Sequence, residues 1–105
     1  MMEKFYVALL QMVSTAGAAG NREKGEAYCR RAKAMGADLA LLPEMWSNGY
    51  HVPKDPAQLA AEAVPADGEF VSFFAGLAKE LEMAIGITFL EQWEGGPRNT
   101  LHVYD

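Results

Sequence analysis

"ADLALLPEMWSNGY", residues 37–50, runs through an apolar stretch and stops at a proline followed at once by a carboxylate. Leu39-Ala40-Leu41-Leu42 is too short for a helix and too apolar for a solvated loop, so it reads as a strand covered on both faces. Glu44 stands immediately after it. An ionised carboxylate taken out of water is strongly penalised unless it is paired or hydrogen-bonded. Two explanations fit that position. Either the strand ends at the surface and Glu44 bonds to a neighbouring backbone amide, or the acid is there for chemistry. Ligands and catalytic groups of open α/β sheets gather at the carboxyl ends of strands, which is where Glu44 falls. Partial burial beside Trp46 and Tyr50 would raise its proton affinity and suit it to general-base work.

The flanks place this strand in a larger pattern. Upstream, "FYVALLQMV" (5–13) is a second apolar run, read as a central strand buried on both faces. "STAGAAG" punctuates the chain with small residues. From Asn21, "NREKGEAYCRRAKAMG" offers a capping residue, acids early, bases late and Gly36 as a stop. Tyr28, Cys29, Ala32 and Met35 share one helical stripe. Strand, helix and strand with short joints make a βαβ unit with parallel strands.

Downstream, residues 44–68 hold three prolines and two glycines. So long an irregular segment in a compact domain is often functional, and "DPAQLAAEA" can form a short helix within it. "EFVSFFAGLAKELE" is a second full helix with Phe70, Phe73, Phe74, Leu77, Ala78 and Leu81 on one face. "MAIGITFLEQW" is a third strand, "EGGPRN" a hairpin turn and "TLHVYD" a fourth strand, antiparallel to the third. The fold class is therefore α/β with order βαβαββ in one domain, 1–105. Two helices are few for both faces of four apolar strands. A further layer is expected, either another subunit or a further part of the chain.

Composition narrows the function classes. At 105 residues and 50% hydrophobic, the chain can bury roughly two-thirds of its unfolded surface. A net charge of -5 without a basic cluster argues against nucleic acid or an anionic membrane as partner. No apolar run approaches the ~20 residues of a membrane span. One cysteine cannot form an internal disulfide, so a cytoplasmic setting is expected.

Other candidate sites are weaker than Glu44. "AGAAGN" precedes a helix, but it lacks the third glycine of G-x-G-x-x-G and the G-K-[ST] of a phosphate loop. Cys29 lies mid-helix on the apolar stripe, where a thiol is a small core group rather than a nucleophile. His51 and His102 have no Cys, His or acidic companion at ligand spacing. No metal and no cofactor are expected.

Taken together, "GADLALLPEMWSNGY", the preceding strand "VALLQM" and helix, and the later "MAIGITFLE…RNTLHVYD" closely resemble the carbon–nitrogen hydrolase (nitrilase/amidase) superfamily. The resemblance includes the Asn that often starts the fourth strand, here Asn99. It implies an incomplete α-β-β-α sandwich, of which this chain is the N-terminal portion. It also implies a Glu-Lys-Cys hydrolase in which the glutamate at the position of Glu44 is the general base. The family's lysine follows the fourth strand and its cysteine comes later still. Lys79 and Cys29 precede those positions and are not carried over. Only Glu44 is carried over; Tyr50 is a candidate substrate-pocket wall.

The resemblance thus points to the N-terminal segment of a hydrolase of amide, nitrile or carbamoyl compounds, inactive by itself, with its Lys and Cys outside these residues. A non-catalytic interaction module that self-associates through its apolar sheet is the alternative, and a small-molecule-binding βαβ domain is the third. The expected partners are a small amide or nitrile substrate in a longer protein and further copies of the chain.

Overall fold

A computed structural model describes residues 4–15 and 17–105. The elements run β1 (Val7–Leu9), α1 (Ala18–Ala34), β2 (Leu39–Leu41), α2 (Pro56–Glu62), α3 (Glu69–Leu81), β3 (Ala84–Glu91) and β4 (Arg98–Tyr104). The expected βαβαββ order is present, with α2 as the short helix inside the long irregular segment. The sheet has the order β1-β2-β3-β4. β1 and β3 pair parallel to β2, and β4 pairs antiparallel to β3. No helix among the described residues is long and apolar enough to cross a membrane.

Both long helices pack on one face of this sheet. Phe70, Val71, Phe74, Leu77 and Ala78 of α3 meet Ile85, Ile87 and Phe89 of β3, with Ala40 of β2 in the same core. α1 contributes small groups, Gly25, Cys29 and Ala32, which let it lie close to its neighbours. A β-carbon added at Gly25 would fall 2.8 Å from the Phe74 ring, 3.0 Å from Leu42 and 3.0 Å from the Trp46 indole nitrogen. Glycine therefore permits the contact between α1, α3 and the segment leaving β2.

Side chains alternate across a strand, so the other face of the sheet is set by the same register. Val7, Leu9, Leu39, Leu41, Ala84, Gly86, Leu101 and Val103 all point there. Val7 is 47% exposed, Leu9 65%, Leu101 53% and Val103 58%. The shortage of covering helices expected from the sequence is thus observed on one face only.

Three expectations need correction. β1 is an edge strand rather than a central one, because it pairs with β2 alone. Its apolar composition records the faces that call for cover, which composition cannot distinguish from lateral position. Asn21 does not cap α1. The helix starts at Ala18, three residues earlier, with Gly17 as cap, because two alanines extend it readily. Asn21 is instead fully buried, and its Oδ1 accepts from Thr15 N at 2.7 Å and Thr15 Oγ1 at 2.9 Å. Its first turn consequently holds no acid. Met35 leaves the expected apolar stripe and is 83% exposed, since the helix ends beneath it and Gly36 turns away at φ +91°.

Candidate active site

The segment leaving β2 stays bonded to β3 well past its last strand residue. Leu42 N donates to Gly86 O at 3.0 Å and Trp46 N to Thr88 O at 3.1 Å. Between them Thr88 Oγ1 donates to the Pro43 carbonyl. Glu44 is therefore carried on an elbow pinned on both sides. Met45 adopts left-handed backbone at φ +51°, uncommon for a side chain of this size. That turn sends Met45, Trp46 and Ser47 inward, where all three are buried. Trp46 Nε1 donates to Asn21 O at 2.7 Å, and Ser47 Oγ accepts from Leu90 N at 3.0 Å. Glu44 alone points outward.

Its carboxylate meets β4. Asn99 Nδ2 donates to Glu44 Oε1 at 3.1 Å. The pair lies in a groove of about 370 Å³ on the uncovered sheet face, lined also by Leu41, Thr88 and Leu101. One carboxylate oxygen is engaged by a neutral donor; a second oxygen beside apolar walls is the form in which an acid can exchange a proton with a bound group. The aromatic enclosure expected around Glu44 does not form. Trp46 turns into the core, and Tyr50 is 60% exposed on left-handed backbone at φ +61°. Tyr50 is absent from the groove's lining.

A second polar cluster braces the loop that carries Tyr50. Glu62 accepts from Asn48 Nδ2 at 3.1 Å and Gln58 Nε2 at 3.1 Å, and lies 2.9 Å from His51 Nδ1. The His51 ring holds the Glu62 carboxyl below the usual carboxylate range, against the opposing effect of burial, with Asn48 and Gln58 adding to it. His51 thus has an acidic companion after all. Eleven positions separate the two, no recognised ligand spacing, and only the fold of the loop onto α2 unites them. Cys29 is fully buried, and burial, reinforced by the charge of Glu26, pushes its thiol up to about 12. Such a thiol stays protonated and inert. Lys79 sits in the last turn of α3.

The mixed sheet with helices on one face is a fold shared with several solved structures of the nitrilase superfamily. An amidase from Nesterenkonia sp. superposes with a TM-score of 0.76 at 24% identity, covering 96% of this chain and 38% of that one. A carbon–nitrogen hydrolase superfamily protein from Xanthomonas campestris gives 0.78 at 24% identity, covering 99% and 41%. The C. elegans NitFhit protein gives 0.80 at 18% identity, covering 96% and 25%. Sequence carries the assignment further: residues 6–105 match the family model for carbon–nitrogen hydrolases, and the chain belongs to that family. It is 28% identical over 103 residues to an N-carbamoylputrescine amidase of Oryza sativa subsp. japonica, covering 97% of this chain. The chain spans 34% of that relative's length.

Proposed function

We propose that these residues are the N-terminal segment of a hydrolase of non-peptide carbon–nitrogen bonds, with Glu44 as its general base. The observation that carries the proposal is the aim of Glu44. It is the one outward side chain of a pinned elbow, and it faces a groove on the sheet face left open. By the family's mechanism the base takes a thiol proton from a cysteine, which attacks an amide or nitrile carbon. A lysine stabilises the developing negative charge, the protonated base gives its proton to the leaving amine or ammonia as the C–N bond breaks, and water activated by the same base then cleaves the thioester to free acid and thiol. In this proposal the lysine and cysteine come from chain outside the 105 residues, and Tyr50, which lies off the Glu44 groove, reaches the substrate only in a pocket extended by that chain. The amidase names of the rice and Nesterenkonia relatives favour an amide or carbamoyl substrate.

The test is to express the chain extended through its downstream reading frame and to assay amide hydrolysis. Glu44→Gln is expected to lower turnover by about 10²–10⁴, the range of a general base. The 105-residue chain alone is expected to show no turnover. Hydrolysis by the short chain, or full activity in the extended Glu44→Gln protein, would refute the proposal.

A second function is favoured by the exposed row Val7, Leu9, Leu101 and Val103: association with further copies through the open face. Light scattering decides it, since a concentration-independent monomer would exclude it.

A further inference from the structure

We infer that Asn99 is a positioning residue, which orients the Glu44 carboxylate by engaging Oε1 so that Oε2 faces the groove. The inference rests on the proposed role of Glu44 and adds to it the group that aims the base. Asn99 is itself held in place by its neighbours on β4. Glu91, buried on β3, accepts from Arg98 Nε at 2.8 Å and from Thr100 Oγ1 at 2.8 Å. Arg98 also stacks over the Trp93 ring, 3.4 Å from its centroid. Residues 98 and 100 are thereby locked onto the helix-covered face. Alternation along the strand then forces the residue between them to the opposite face, where Glu44 lies. Asn99 pairs with Leu90 in the ladder, which fixes its height along β3. The elbow fixes Glu44 independently through Thr88, two residues before Leu90 on the same strand. One strand thus sets both partners of the hydrogen bond.

The chemistry favours an amide here. A neutral donor holds a carboxylate without adding a charge that would make it a poor proton acceptor. An arginine or lysine in the same place would suppress the base. A carboxylate would repel it.

The test is side-chain amide NMR on the 105-residue chain. One Nδ2 proton of Asn99 is expected to move as Glu44 is protonated in acid, and that movement is expected to vanish in Glu44→Gln. Glu44 is exposed, so this variant leaves the core untouched. Asn48, whose amide donates to Glu62, keeps its own acid response in the variant and serves as an internal control. Glu91 bonds the residues on either side of Asn99, and Glu91→Gln is expected to leave the Asn99 response in place. An Asn99 signal that stays flat through the titration, or moves equally in Glu44→Gln, would overturn the inference whatever the activity of the extended protein. In the extended protein Asn99→Leu is expected to lower kcat about tenfold with little change in KM. Asn99→Ser serves if leucine disturbs the sheet, and unchanged kcat in a folded variant would also overturn the inference. Loss of all hydrolysis from the unsubstituted extended protein, with the NMR response intact, would count against Glu44 as base and leave the hydrogen bond standing.

Discussion

Trp46 ties Glu44 to the rest of the molecule: its backbone bonds to Thr88 and its indole to Asn21, so the residue after the turn is anchored at both ends. Trp46→Phe deletes the indole donor and part of the buried ring, while the Asn21 carbonyl keeps its intrahelical partner four residues on. The expected cost is about 1–3 kcal/mol in urea unfolding, and an unchanged midpoint would show the bond to be unimportant. A second residue-level expectation concerns acid. Arg98, then Thr100, hold the Glu91 carboxyl below its ordinary value. A carboxyl lowered on folding contributes stability that is present above its unfolded value, about 4.3, and is lost as pH falls through the folded value. Thermal unfolding from about pH 5 down to about pH 2 should therefore show a shallower acid loss in Glu91→Gln than in the unsubstituted chain. The place of Glu44 at the end of β2 was legible in the sequence because an acid directly after an apolar run and a proline is conspicuous. Its bond to Asn99 was not, because 55 positions lie between the two and only the β3–β4 register joins them.

Among the elements, α1 and α3 show what periodicity can and cannot tell. The aromatic face of α3 was readable: Phe70, Phe74, Leu77 and Ala78 are buried as expected, Phe73 and Leu81 lie half-buried at its margin, and Val71 joins the core. α1 was harder, since its contact face is Asn21, Gly25, Cys29 and Ala32, small or polar groups that leave a faint apolar signal. Its start was misplaced because asparagine is a common cap, whereas here it braces Thr15 from inside the helix. Gly25→Ala tests how tightly the two helices are seated. Alanine improves helix propensity by about 1 kcal/mol, yet its methyl group would press on Phe74, Leu42 and Trp46. Overpacking of this kind costs about 1–3 kcal/mol, so net destabilisation is expected by urea titration. A more stable variant would mean that Phe74 and Leu42 can retreat.

At the scale of the whole molecule, the sheet has one face covered by helices and one face open among the described residues. The βαβαββ order followed from the apolar runs and helical stripes, and the bare face from counting helices against apolar strands. The edge position of β1 did not, because pairing partners leave no trace in composition. Substituting Leu101→Lys on the open face should reduce self-association in light scattering with little loss of folding stability, since that side chain is already half exposed. A large loss of stability would place it in the core instead. The excursion that follows Glu44 has a further consequence for how the molecule can vary. It departs where Trp46 bonds to Thr88 and returns where Val64 N bonds to Leu90 O at 2.8 Å, two positions along the same strand. Its ends meet on a common post, so its girth can change without tugging on either. Doubling such a span costs only about 0.6 kcal/mol in closure entropy. The stretch can thus lengthen or shorten while the acid beneath keeps its bearing.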